Sequence, residues 1–116
     1  MLSIKQTGTL TRSAATEWIS LFRNNDGATN GTIIVKLGAT APVLADGTIT
    51  IQFSNDWDGA KDGIISYTTT AINASEMTIC YEVASPFRYV RFNFVLNSIT
   101  ELTYEAYGNY NTELPI

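Results

Sequence analysis

The stretch Phe-Arg-Tyr-Val-Arg-Phe-Asn-Phe-Val-Leu, from Phe87 to Leu96, constrains the fold more than any other part of this chain. A β-strand sends successive side chains to opposite faces of its sheet. On that period Val90, Phe92, Phe94 and Leu96 share one face, whereas Tyr89, Arg91 and Asn93 share the other. Arg88 has the parity of the apolar set but stands at the strand's start, where its guanidinium can leave the core. A strand with one dry face needs a second apolar layer against it.

Other segments supply that layer. Gly31 to Leu37 places Ile33, Val35 and Leu37 on one side, and Thr48 to Ser54 does the same with Ile49, Ile51 and Phe53. Ile64 to Thr70 resumes the alternation. Met77 to Val83 sets Met77, Ile79, Tyr81 and Val83 against Thr78, Cys80 and Glu82. A last strand is expected near Glu101 to Tyr107. Residues 3 to 11, interrupted by Gly8, read as a short edge strand with a bulge. Residues 13 to 23 fit helical spacing through Ala14, Ala15, Trp18, Leu21 and Phe22. They also fit alternation through Trp18, Ser20 and Phe22, and the shortness of the segment among strands favours a strand. Asn24 to Gly27, Asp46-Gly47, Ser85-Pro86 and Asn97-Ser98 read as turns.

The expected architecture is therefore all-β: a single-domain antiparallel β-sandwich over residues 1–116, jelly-roll or discoidin-like, with about eight strands. In it Val90, Phe92 and Phe94 are expected to face Ile49, Ile51 and Phe53 in one core. Composition agrees. Thr occurs 16 times and Asn 9 times, and the branched Cβ of Thr suits a pleated surface. At 116 residues there is room for one domain. Residues 1–10 and 108–116, the least periodic, read as an edge strand or as arms for assembly.

Charge and residue usage exclude several functions. The net charge is −4, and the seven Lys and Arg residues are scattered. A nucleic-acid surface needs a basic stripe to displace counterions, so no nucleic-acid partner is expected. The chain has no His, which removes the usual general base and the commonest metal ligand. Cys80, the lone cysteine, has no His to activate it and reads as a small packed side chain. No stretch approaches the ~18 apolar residues of a membrane-spanning helix. The start of the chain lacks a basic region followed by an apolar run, so synthesis in a cytoplasm is expected. No enzyme activity, cofactor or metal is expected.

The acidic segment Asp56-Trp57-Asp58-Gly59-Ala60-Lys61-Asp62-Gly63 is the main candidate for a ligand site. Its carboxylates, Asp56, Asp58 and Asp62, can in principle surround a hard cation such as calcium. The EF-hand pattern is absent, because the twelfth position counted from Asp56 is Tyr67. Turn geometry alone accounts for the Asp and Gly residues. Trp57 in a polar loop marks either a contact surface or a cover for the core. The other aromatic candidates for a sugar platform are Trp18, Tyr67, Tyr104, Tyr107 and Tyr110. Arg88 and Arg91 read as partners of neighbouring carboxylates or loop carbonyls.

Two segments carry a family resemblance. Gly47-Thr48-Ile49-Thr50-Ile51-Gln52-Phe53-Ser54-Asn55-Asp56-Trp57-Asp58-Gly59, followed by Pro86-Phe87-Arg88-Tyr89-Val90-Arg91-Phe92, resembles the strand, Ser-x-Asp-Gly loop and Arg-Tyr-Val-Arg strand of discoidin-like (galactose-binding-like) sandwiches. The likeness spans residues 31 to 108. Similar pairs of segments recur in small β-sandwich structural proteins of tailed bacteriophages. That resemblance implies a virion protein made in a host cytoplasm: a capsid decoration, fibre-base or neck and tail accessory protein. Its partners would be copies of itself and other virion proteins. Tyr107, Tyr110, Leu114 and Ile116 are then the expected assembly residues, since Tyr is enriched at interfaces. The alternative is a carbohydrate-binding module that takes a glycan on Trp57, Asp56, Asp58 and Asp62.

Overall fold

The computed structural model describes residues 2–20, 30–55, 64–83 and 88–111. These residues form nine strands and no helix. The strands are β1 (Leu2–Leu10), β2 (Ala14–Ala15), β3 (Ile19–Ser20), β4 (Asn30–Thr40), β5 (Gly47–Ser54), β6 (Ile64–Ile72), β7 (Glu76–Val83), β8 (Tyr89–Leu96) and β9 (Glu101–Asn111). The described part of the segment that matched both periods, residues 13–20, holds no helix and supplies β2 and β3. All pairings are antiparallel.

One sheet has the order β1-β9-β4-β7, and the other has β2-β8-β5-β6 with β3 also on β8. Taking β2 and β3 as one interrupted strand leaves the eight expected. The pairs β1·β9, β2/β3·β8, β4·β7 and β5·β6 are those of one long ribbon whose tip is the β5–β6 connection. Rolling that ribbon closes β4 on β9 and β5 on β8. This is a jelly roll, one of the expected sandwich forms.

The register explains the core. Ile49, Ile51 and Phe53 stand opposite Phe94, Phe92 and Val90, and all six are buried. They are neighbours on one face of the second sheet rather than facing one another across the sandwich as expected. The opposing layer comes from the first sheet, with Ile33, Val35, Leu37, Tyr81, Leu102, Tyr104 and Ala106. Ile72 and Ile99 complete the cluster. Full burial of each large apolar side chain contributes roughly 1.5–3 kcal/mol. The rings of Phe94 and Tyr104 meet between the layers at a centroid distance of 5.1 Å. Burial raises the pKa of both Tyr81 and Tyr104 above the usual phenol value.

Three expectations need correction. Cys80 is exposed, because the alternation that buries Tyr81 turns its neighbour to the outer face. Gly8 makes no bulge: β1 pairs with β9 without a shift from Leu2↔Tyr110 to Leu10↔Leu102. Its missing side chain instead makes room for the Tyr104 ring, whose Cε1 would lie 2.7 Å from a Cβ there. Finally, residues 108–111 are not part of an arm. They continue β9 between Leu2–Ile4 of β1 and Asn30–Ile33 of β4. Residues 112–116 lie outside the described residues.

Gly108 is what allows β9 to run on past Tyr107. A Cβ at this position would collide with the backbone carbonyl oxygen of Thr32 and lie 2.9 Å from the Cα of Ile33. Backbone cannot give way as a side-chain tip can. Gly108→Ala is therefore expected to lower stability by about 1–3 kcal/mol, read as a fall in the urea midpoint. An unchanged midpoint would contradict the observed approach of β9 to β4.

Candidate functional site

The roll gathers the connections 11–13, 41–46, 73–75 and 97–100 at one end of the sandwich, since Gly38↔Glu76, Thr40↔Glu101, Gly47↔Ile72 and Gly47↔Leu96 are partners. The most prominent of these connections joins β4 to β5. There Val43 is 83% and Leu44 79% exposed. Its backbone is held near both of its ends by the connection between β8 and β9. The Ser98 hydroxyl donates to the Leu44 carbonyl, the Asn97 and Ser98 amides donate to Asp46 O at 3.0 and 3.2 Å, and the Thr100 amide donates to Thr40 O at 2.8 Å. Beside it lies a cavity of about 220 Å³, lined by Ala39, Ala41, Val43, Leu44, Ala45, Asn73, Ala74 and Ser75.

The outer face of the second sheet carries a row of side chains. Register places Arg91 of β8 opposite Gln52 of β5, and Gln52 opposite Tyr67 of β6. The Arg91 Nε–H donates to Gln52 Oε1 at 2.6 Å. On its other side, the guanidinium carbon lies 4.5 Å from the centroid of the Trp18 ring. Trp18 follows Thr16, which fastens this segment to β8: the Thr16 amide donates to Phe92 O at 2.8 Å, and the Phe92 amide donates to Thr16 Oγ1 at 3.0 Å. Trp18 Nε1 is covered and bonds to no described group, so the indole meets Arg91 with its face and not as a donor. Arg91 therefore has an amide oxygen and an indole as partners, in place of the expected carboxylate or loop carbonyl. Tyr67 ends the row, 70% exposed.

The expected site residues are distributed as follows. Asp56, Trp57, Asp58 and Asp62 lie outside the described residues; Asn55 and Ile64, which flank that segment, sit at the end of the sandwich opposite Val43 and Leu44. Tyr107 is half-buried on the outer face of the first sheet, where Lys36 Nζ stands 5.6 Å from its ring centroid. Tyr110 lies in β9 opposite Leu2 and Gly31. Leu114 and Ile116 lie outside the described residues. Arg88 is exposed, and its amide donates to Ser54 O and Asn55 Oδ1 at 3.3 and 3.2 Å. Among the described residues, no three His, Cys, Asp or Glu side chains cluster to hold a metal ion. Sequence reasoning missed Val43 and Leu44, although two consecutive aliphatic residues after Pro42 in a connection are a legible signal.

No protein-family model matches this chain, and no curated protein matches it. Solved structures do share its fold. The SPBc2 prophage-derived protein YomS superposes with a TM-score of 0.54 at 14% identity, over 93% of this chain and 95% of that one. VP2 of the infectious bursal disease virus subviral particle superposes with a TM-score of 0.53 at 13% identity. That match covers 93% of this chain but 33% of VP2. The CBM22-1 and GH10 modules of Clostridium thermocellum xylanase 10B reach a TM-score of 0.47 at 8% identity, over 95% of this chain and 27% of that one. This last likeness is too remote to bear on function.

The Trp18–Arg91 contact is expected to be energetically coupled. Cation–π pairs contribute about 0.5–2 kcal/mol according to their exposure. A double-mutant cycle of Trp18→Ala and Arg91→Ala, read by urea unfolding, should give a coupling within that range. Additive losses would mean that the stacking carries no energy.

Proposed function

We propose that this protein is a non-enzymatic virion structural component that acts by assembly with copies of itself and with other virion proteins. The observation that carries this reading is the Val43–Leu44 tip. Two aliphatic side chains are held out in solvent by a connection whose backbone is bonded by Asn97, Ser98 and Thr100. Exposed apolar groups on a fixed support favour burial by a partner, since little ordering entropy is lost on binding. The small cavity beside the tip offers a recess to the same partner.

The fold supports the same reading. A jelly roll buries its interior without using its outer faces or the edges of its sheets for chemistry, which leaves them for contacts. Likeness to a prophage-derived protein across nearly the whole of both chains, and to part of a viral particle protein, supports it at the level of fold. Within the virion, a capsid decoration, fibre-base or neck and tail accessory role fits a 116-residue sandwich with no His for acid–base work. Tyr107, Tyr110, Leu114 and Ile116 are proposed to add contacts from the strand end.

The test uses two measurements on one variant. Val43→Asp/Leu44→Asp alters only exposed side chains, so its thermal midpoint should stay near that of the parent protein. Its self-association in sedimentation, and its recovery in purified particles, should fall at least about tenfold, the effect of losing ~1.4 kcal/mol of contact energy. A parent protein that is monomeric at high concentration and absent from particles would overturn the proposal.

A further inference from the structure

The outer face of the second sheet holds an arginine that is fixed in place and still has donors to offer. Arg91 spends its Nε–H on Gln52 and one face of its guanidinium on Trp18. Among the described residues, no hydrogen bond or ion pair uses its two terminal NH2 groups. The planar edge formed by those groups matches a carboxylate in two parallel hydrogen bonds. Because the guanidinium is already held by Trp18 and Gln52, little rotamer entropy remains to be lost when an anion binds.

The surroundings of Arg91 define what that anion belongs to. On β8, Asn93 lies two residues on, on the same face, and its side-chain amide bonds to no described residue. Across β5, Tyr67 presents an exposed ring two strands away, about 9.5 Å at the usual strand spacing. Thr50 and Thr69, hydroxyl to hydroxyl at 2.9 Å, fill the next row. Arg91 is the only cation among the described residues of β5, β6 and β8 on this face. One positive charge balances one carboxylate, whereas a dianionic phosphate or a run of acidic side chains would call for more. Aromatic rings also stack on the apolar faces of pyranose rings, and uncharged amides and hydroxyls match a ligand rich in hydroxyl groups.

We infer that this face binds a carboxylated saccharide, with the carboxylate on Arg91 and a neighbouring sugar ring on Tyr67. The separation of the two requires a ligand of at least disaccharide length. The site is distinct from the Val43–Leu44 tip, and it does not depend on the assembly reading. For a virion protein it would supply contact with an acidic glycan surface; for a protein outside a virion it would be the same site with the same chemistry.

The experiment is direct binding of the full chain to 3′-sialyllactose and trigalacturonic acid, with lactose, cellotriose and hexaglutamate as controls, by titration calorimetry. At least one of the two acidic saccharides should bind, and the neutral ones should bind at least about tenfold more weakly. Arg91→Lys, which keeps the charge but loses the two-pronged edge, should weaken binding at least about tenfold. Tyr67→Ala removes an exposed ring with no part in the core and should weaken it at least about threefold, with an unchanged thermal midpoint. Failure of both acidic saccharides to bind, equal binding of the neutral ones, or full affinity in either variant would overturn the inference. Preferential binding of hexaglutamate would overturn it in favour of an acidic peptide.

Discussion

The pairing of β5 with β8 is the constraint on which the rest of the molecule depends. Its register runs without interruption from Gly47↔Leu96 to Ser54↔Tyr89. On one face it places three buried pairs side by side, Ile49 with Phe94, Ile51 with Phe92 and Phe53 with Val90. On the other it places Gln52 against Arg91 and Thr50 against Asn93. Because side chains alternate with a period of two, slipping β8 by one residue would exchange its faces and bury a guanidinium among Phe and Ile. An unpaired buried charge costs several kcal/mol against a typical stability of about 5–15 kcal/mol. The hydrophobic core therefore fixes the polar row as strictly as it fixes itself.

The two regions proposed to meet other molecules draw on different parts of this scaffold. The Val43–Leu44 tip comes from a connection between sheets, held by carbonyls that accept from the β8–β9 connection. The Arg91 row is centred on β8 and β5, each flanked by strands on both sides, and ends on the edge strand β6. Their separation lets one be altered without the other. On the first sheet, the outer face carries Lys36 beside Tyr107 and Thr-rich neighbours.

Much of the fold was legible because alternation is a local property. Ile49, Ile51 and Phe53, or Val90, Phe92 and Phe94, declare a strand and its buried face without reference to the rest of the chain. What alternation cannot state is which strand lies beside which. The two triplets were expected across the core and are instead neighbours in one sheet. Residues 108–111, Gly-Asn-Tyr-Asn, have no apolar period, yet two flanking strands hold them extended and Gly108 lets them approach. The same reason hid the Arg91 row: its partners, Gln52 and Trp18, are far off in sequence and meet it only through the rolled topology. Cys80 was misplaced by weighing its type, small and often buried, above its parity in β7. The acidic segment with Trp57 was legible as a candidate and lies outside the described residues.

The register of β5 against β8 can be measured directly, through cross-strand nuclear Overhauser contacts in isotopically labelled protein. Backbone contacts should connect Ile51 with Phe92, Gln52 with Arg91 and Ile49 with Phe94, the pairs that set the core and the polar row together. Contacts that instead place Ile51 opposite Arg91 or Asn93 would mean a strand slipped by one residue. In that case neither the core nor the Arg91 row would exist as described.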